Sequence, residues 1–372
     1  MSTTFNSAER AAPRVWLVIG DKLGDNAQVE ILAKALGWPV ESRNLRFRSQ
    51  YIYGKPRFRP SLYHLDRRAS DSLEPPWPDL VLTIGRRPSM AALWIKRQSG
   101  GRTKVVIVGR PKRYFDEFDL VVGTPQYRLP DRQNVVTLDL PLMRADMQRL
   151  EQGKKDWAGV MNDLPRPLTA VLIGGQTRPF RFDGEAAEEF LQKLSQTPGL
   201  SEGTLYITTS RRTPRAVGET LARRLPSNAR LYRWESGRDD NPYFGLLACA
   251  DRFVVTGDSI SMMVEVARLE RPLAIYPLPY RRSPIVSLYE KMTDLLHGRE
   301  AWRWLGEFLS DRGLIGYPRR LPDLHDRLVR QGRAVMLGQP FVQPPSFVDQ
   351  DLDRAAAAIK QLFSSLPASS GS

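Results

Sequence analysis

Short apolar runs recur along the chain, each stopped by glycine or a polar turn and followed by apolar positions three and four apart. The first run is Arg14-Val-Trp-Leu-Val-Ile-Gly20, after which Asp25–Leu36 sets Val29, Leu32, Ala33 and Leu36 on one helical face. Strand-like runs return at Leu80–Ile84, Lys104–Val108 and Leu120–Val122, with a helical Pro88–Arg97 between the first two. Apolar strands alternating with amphipathic helices predict a parallel sheet covered on both faces.

The pattern then restarts. A polar connector around Gln152–Arg166 leads to a strand at Leu168–Ile173, a helix at Gly184–Leu194 and a strand at Thr204–Thr208. A helix from Pro214, a strand at Arg230–Trp234 and a helix from Asn241 follow. The strand Arg252–Thr256, a helix from Ser259 and the strand Pro272–Tyr276 complete the set. The expectation is an α/β chain of two Rossmann-like domains, 14–160 and 161–338, facing across a cleft. Pro-rich Gln339–Pro345 leads into a helix at Asp349–Phe363, so segment 339–363 is expected to cross back to the first domain. Residues 1–13 and 364–372 read as disordered tails.

At 372 residues the chain is long enough for two cores, and 41% hydrophobic with 26% charged residues is a globular composition. A lone cysteine, Cys249, excludes an intramolecular disulfide, and His64, His297 and His325 are too scattered to predict a metal cluster. Met1–Pro13 lacks an apolar leader and no run is long enough to span a bilayer, so a cytoplasmic location is expected. The net charge of +14 comes mainly from 44 arginines against 11 lysines. Arginine's planar fork suits phosphate, so nucleic acid, anionic lipid and phosphorylated small molecules are the candidate partners.

Three loops of the second half carry the candidate chemistry. Thr256-Gly-Asp-Ser-Ile-Ser-Met-Met-Val-Glu265 follows a strand and opens a helix, where free N–H groups and the helix dipole favour an anion. Ser259 and Ser261 add hydroxyls there, and Glu265 could reach ribose hydroxyls; the plain alternative is an N-cap with a solvated glutamate. Gly174-Gly-Gln-Thr-Arg178 offers close backbone approach at Gly174 and Gly175, with Thr177 and Arg178 for phosphate. Thr208-Thr-Ser-Arg-Arg-Thr-Pro214 adds Ser210, Arg211 and Arg212, with Thr213 as an N-cap and Pro214 in the first turn. None is a Walker or GxGxxG motif, which disfavours ATPase and NAD readings.

In the first half, Asp21 and Asp25 of Gly20-Asp-Lys-Leu-Gly-Asp-Asn-Ala-Gln28 are candidate general bases, with helix capping by Asp25 as the alternative. Gly85-Arg-Arg-Pro-Ser89 reads as a cap with two exposed arginines. Between Arg43 and Arg68 basic and aromatic residues interleave, and Arg46, Arg48, Tyr51, Tyr53, Arg57 and Arg59 are the candidate contacts for acceptor or membrane. The same interleaving suits single-stranded nucleic acid or a solvated loop. Trp302, Leu305, Phe308 and Leu309 fall at helical spacing and read as core packing, with a second membrane contact as the alternative, and Asp349-Gln-Asp351 reads as a helix cap rather than a metal site.

These loops, in this order, resemble the family of the plant "elongated mitochondria" fission factor and its bacterial relatives. The matching stretches are Gly20–Gln28, Gly174-Gly175, Thr208–Pro214, Asn241-Pro-Tyr-Phe-Gly-Leu-Leu247 and Thr256–Met262 with Glu265. The bacterial members are regarded as glycosyltransferases of the GT-B fold, so the resemblance implies a nucleotide-sugar in the second domain and an acceptor on the first. The resemblance also implies a His-Asp pair after the proline that follows the last strand of the first domain. Thr124-Pro-Gln-Tyr-Arg128 has neither residue, so this chain would need another base.

The expectation is an inverting, metal-independent glycosyltransferase with no cofactor beyond its nucleotide-sugar substrate. Its acceptor would be lipid-linked or of lipopolysaccharide type, met peripherally at the cytoplasmic face of an anionic inner membrane. The alternative is a non-enzymatic GT-B-like protein at a membrane surface; nucleic-acid binding is the least favoured reading.

Overall fold

The apolar runs become the inner strands of two parallel sheets in the computed structural model. It describes residues 12–51, 59–111, 113–177, 180–238, 240–280, 284–298, 300–312, 314–315, 320–346 and 349–364. The chain runs β1 (Val15–Ile19), α1 (Leu23–Leu36), β2 (Val40–Asn44), β3 (Leu80–Ile84), α2 (Arg86–Gln98), β4 (Lys104–Val108), β5 (Leu120–Gly123) and β6 (Val135–Thr137). It continues through α3 (Met147–Asn162), β7 (Leu168–Leu172), α4 (Gly184–Ser195), β8 (Thr204–Thr208), α5 (Arg215–Arg223), β9 (Ala229–Tyr232), α6 (Tyr243–Cys249) and β10 (Arg252–Thr256). Last come α7 (Ile260–Arg268), β11 (Leu273–Tyr276), α8 (Pro284–Gly298), α9 (Glu300–Asp311), α10 (Leu321–Arg330), β12 (Val335–Met336) and α11 (Asp351–Ser364).

The first sheet has the order β2-β1-β3-β4-β5-β6 and the second β12-β11-β10-β7-β8-β9. Every strand pair is parallel. The chain divides into two compact units, the first running to Leu142 and regaining α9 and α11, the second holding the elements from α3 to β11 with α10 and β12. The return of α11 to the first unit is the crossing back expected of segment 339–363.

In the first unit, β1 alternates between two apolar layers. Val15, Leu17 and Ile19 pack with Val29, Leu32 and Leu36 of α1, while Trp16 and Val18 pack with Met90, Ala91 and Leu93 of α2. The closing helix completes the first layer: Ala355, Ala356 and Ile359 of α11 are buried in it. Full burial of a side chain such as Ile359 is worth roughly 1.5–3 kcal/mol. Asp351 anchors the start of α11 by accepting the backbone N–H groups of Asp139 and Leu140, both at 2.9 Å.

Several expectations change. Most of the connector expected around Gln152–Arg166, up to Asn162, lies within the four-turn helix α3, capped by Asp146, whose carboxylate accepts from the N–H groups of Gln148 and Arg149. The Asp349-Gln-Asp351 carboxylates at the start of α11 tie down other segments. Asp351 holds residues 139–140, and Asp349 pairs with Arg144 at 2.7 Å and with the buried Arg268. Trp302 and Phe308 are exposed rather than in a core, at 47% and 45%. The tails expected over 1–13 and 364–372 lie outside the described residues, apart from 12–13 and Ser364.

Candidate functional site

In the second unit, register brings three strand ends to one edge. Leu172 of β7 pairs with Thr208 of β8 and with Val255 of β10, so Gly174, Ser210 and Asp258 leave the sheet together. Strand order reverses between β7 and β10, and such a switch point is where open α/β sheets leave a crevice.

A buried aspartate that sequence reasoning passed over locks the three loops. Asp258 accepts from the Gly175 N–H and the Thr256 hydroxyl, both at 2.8 Å, while the Thr256 hydroxyl oxygen accepts from the Gly174 N–H at 2.8 Å. Burial raises the Asp258 carboxyl above the usual carboxylate range, against the pull of those hydrogen bonds. Gly174 must be glycine because a Cβ would lie 2.5 Å from the Asp258 oxygens; at Gly175 it would lie 2.3 Å from the Arg212 Cβ. Both glycine N–H groups are thus engaged within the protein. The Ser210 and Thr213 hydroxyls donate to the Gly174 carbonyl at 3.0 and 2.5 Å. Thr213 therefore braces the loops, and Pro214 takes the N-cap position of α5. Arg211 and Arg212 are exposed, Thr177 is half-buried, and Arg178 lies outside the described residues.

Beside this brace α7 begins without a side-chain cap. The first N–H groups of an α-helix have no intrahelical partner. Ser259, at the N-cap, is 1% exposed and its hydroxyl has no hydrogen-bond partner among the described residues. Ser261 is half-buried in the first turn, and Glu265 follows one turn later on the same face.

Glu265 meets the Asn241–Leu247 motif, a pairing that no spacing rule foretells. The Tyr243 hydroxyl donates to its carboxylate at 2.7 Å, and burial pushes the Glu265 carboxyl up to about 7. Burial and the neighbouring carboxylate also raise the Tyr243 phenol well above its ordinary value. Tyr243 is held in place because α6 packs closely on α3: a Cβ on Gly245 would lie 2.6 Å from Trp157. On the far side of the loop, His325 of α10 has its Nε2 2.8 Å from the Gly257 carbonyl. Burial lowers the His325 pKa, so the imidazole is neutral and Nε2–H is the donor.

In the first unit, Gly20 and Gly85 leave the matching edge at the β1/β3 switch point. Asp21, Lys22, Asp25, Asn26, Phe47, Arg86, Arg87 and Pro88 line a cavity of about 210 Å³ there. Asp25 does not cap α1: the helix starts at Leu23, and Asp25 lies in its first turn, 3.8 Å from the Lys22 ammonium. The buried Asn26 amide donates to the Gly20 carbonyl at 2.8 Å and fixes the loop. The buried Gln126, just after Pro125, has an Oε1 with no partner among the described residues.

Of the basic–aromatic stretch, Arg46, Arg48 and Arg59 are exposed. Tyr53 and Arg57 lie outside the described residues, as does the Tyr51 side chain. No helix among the described residues is long and apolar enough to cross a membrane, and no group of three or more His, Cys, Asp or Glu side chains is placed to hold a metal ion.

A family model described as mitochondrial fission ELM1 matches residues 24–305. The mitochondrial fission protein ELM1 of Arabidopsis thaliana is 27% identical over 230 residues, 56% of this chain and 53% of that protein. The match thus spans about half the length of that relative. An uncharacterized protein of Rickettsia prowazekii is 24% identical over 300 residues, 71% of this chain and 83% of the relative. Matching solved structures include a UDP-GlcNAc 2-epimerase from Methanocaldococcus jannaschii, 11% identical with a TM-score of 0.49, covering 94% of this chain and 99% of that one. Another is the lipopolysaccharide outer core galactosyltransferase WaaB, 9% identical with a TM-score of 0.37, covering 85% and 99%.

Proposed function

The chain belongs to the mitochondrial fission ELM1 family, and on that premise we propose that it is a glycosyltransferase. It moves a sugar from a nucleotide-sugar donor to a lipid-linked or lipopolysaccharide-type acceptor, with inversion and without a metal ion. The observation that carries the reading is Ser259, a buried hydroxyl without a partner among the described residues at the uncapped start of α7, followed in that helix by the half-buried carboxyl of Glu265.

A nucleoside diphosphate fits these groups in order. Its phosphates accept from the free N–H groups of the first turn of α7 and from Ser259 and Ser261, with Arg211 and Arg212 compensating charge. Its ribose hydroxyls donate to Glu265, about 6 Å along the axis from Ser261 at 1.5 Å per residue. In the transfer step an acceptor hydroxyl oxygen bonds to the anomeric carbon while its proton passes to Asp25, with Asp21 in support. The bond from that carbon to the diphosphate breaks, and its electron pair stays on the departing oxygen at the start of α7.

Thermal shifts across a panel of nucleotide-sugars identify the donor, since a ligand of the folded state raises its melting temperature. Ser259→Ala, Ser261→Ala and Glu265→Ala are each expected to weaken nucleoside diphosphate binding by ~1–3 kcal/mol in calorimetry. Unchanged affinity in all three variants removes the donor site.

A second reading, a GT-B-like protein at a membrane surface, draws on α9, where Trp302, Trp304 and Phe308 are exposed. Arg312 lies 4.3 Å over the Phe308 ring. Aromatic rings beside arginines suit the headgroup region of an anionic bilayer. Flotation with vesicles of graded anionic content tests it, and equal behaviour with neutral and anionic vesicles counts against it. Vesicle binding without hydrolysis of any nucleotide-sugar favours this reading over the first.

A further inference from the structure

A half-buried tryptophan, Trp234, stands on the same loop edge as Ser259. The Trp234 N–H donates to the Thr209 hydroxyl at 2.8 Å, and the Thr209 N–H donates to the Tyr232 carbonyl at 3.1 Å, so the pairing of β8 with β9 runs on to Trp234. Trp234 thus leaves the sheet beside Ser210, next to the row in which Tyr232, Thr208, Leu172 and Val255 pair across β9, β8, β7 and β10. Among the described residues, its indole N–H has no hydrogen-bond partner and is open to solvent, and its ring meets no other aromatic ring or cation.

The direction of that ring follows from the topology. α4 and α5 carry the crossovers from β7 to β8 to β9, and α6 and α7 carry the return from β9 to β10 to β11. Parallel crossovers are right-handed, so the two helix pairs cover opposite faces of the sheet. A Cβ on Gly218 of α5 would lie 3.8 Å from the Arg233 Cδ, so Arg233 points to the α5 face. Successive side chains of an extended strand alternate, which turns Tyr232 and Trp234 to the face of α6 and α7. Tyr232 agrees: its hydroxyl donates at 3.3 Å to Asp240, just before α6. α6 then begins with Tyr243, whose hydroxyl meets Glu265 of α7. Ser259, Glu265, Tyr243 and Trp234 therefore share one face and one edge of the second sheet.

A nucleoside diphosphate carries phosphates, ribose and base in fixed order. With its phosphates at Ser259 and its ribose hydroxyls at Glu265, its base projects past Glu265 on the side that Tyr243 marks as facing α6. Trp234 opens the segment that leads into α6. Three strand spacings, roughly 14 Å, separate β10 from β9 along this edge, an interval that an extended nucleoside diphosphate spans. Stacking on an aromatic ring uses the π face that every base has. We propose that the Trp234 indole is the platform on which the nucleobase of the donor stacks. The inference rests on the donor site at α7, and it assigns to Trp234 affinity for the base rather than choice among bases.

The full chain is titrated by calorimetry with UDP, GDP, ADP and inorganic pyrophosphate. Trp234→Ala is expected to weaken every nucleoside diphosphate that binds the parent at least tenfold, and pyrophosphate less than twofold. Trp234→Phe keeps a ring and is expected to stay within about threefold of the parent. A measurement on the parent itself guards against loss of packing in the alanine variant. The indole N–H resonance missing from the spectrum of Trp234→Phe should shift when a nucleoside diphosphate is added and stay in place with pyrophosphate. Unchanged nucleoside diphosphate affinity in Trp234→Ala overturns the proposal, as does an indole resonance that pyrophosphate moves as far. If Ser259→Ala weakens binding and Trp234→Ala does not, the platform falls and the donor site stands. If no nucleoside diphosphate binds the parent, the donor site falls and the platform with it.

Discussion

Replacing Glu265 by glutamine is expected to stabilise the protein at alkaline pH and not at acid pH. Burial holds this carboxyl at about 7, against an ordinary 4.5. Ionising it therefore costs roughly 3 kcal/mol more in the folded chain than in the unfolded one, at about 1.4 kcal/mol per pH unit. The sign follows from proton counting. Between pH 4.5 and 7 the folded chain keeps the proton that the unfolded chain has released, so rising pH favours unfolding until both are ionised. Glutamine never ionises, and its side-chain carbonyl still accepts from the Tyr243 hydroxyl, the bond at 2.7 Å in the parent. The gain from Glu265→Gln should be under about 1 kcal/mol at pH 5 and about 3 kcal/mol at pH 8. Urea unfolding at both pH values, with hydrogen exchange of α7 amides as a local readout, measures it. A gain that is the same at pH 5 and pH 8 would refute the reasoning.

Nucleoside diphosphate affinity is expected to fall as pH drops below about 7, because ribose hydroxyls donate to the ionised Glu265, and calorimetry in buffers of different ionisation heat should detect proton release. His325 is buried neutral with its pKa lowered, so stability should decline as pH falls below its ordinary 6.5, and His325→Gln should flatten that limb of a melting-temperature profile. Gly174→Ala drives a methyl against the Asp258 carboxylate and should cost about 1–3 kcal/mol in thermal unfolding. Asp25→Asn should lower turnover about a hundredfold with donor affinity unchanged, as for a general base; because Asp25 is not the helix cap, its melting temperature should hold.

The inner strands were legible because strands buried on both faces read as unbroken apolar runs: β1, β3, β7 and β8 are buried at every position. The edge strands were not. β2 reads Val-Glu-Ser-Arg-Asn and is largely exposed, and β12 is two residues long, so neither imposes a pattern. The helix α3 escaped because it buries only Leu150, Gly153 and Met161 in sixteen residues, too few for a clear apolar face. At the site, the loops were legible from their place after buried strands, but the partners were not. The buried carboxylate of Asp258 reads from sequence as an ordinary turn aspartate. Contact between Tyr243 and Glu265 joins residues 22 apart on different helices, and that of His325 with Gly257 spans 68. Such pairings depend on how helices pack, which local periodicity does not encode.

The seating of α11 among the side chains of β1 and α1 bears on how the molecule is made. A ribosome releases β1 long before Ile359, yet both belong to one apolar layer. Domains generally fold as units, N-terminal first during synthesis. Here the first sheet emerges early with part of its covering absent, and Leu17 and Leu32 must wait for Ala355 and Ile359. The second unit, whose elements from α3 to β12 all precede α11, can close before that happens. Translation halted shortly before residue 350 would therefore leave the second sheet assembled and the first with an open apolar face, a surface for chaperones to hold until α11 arrives.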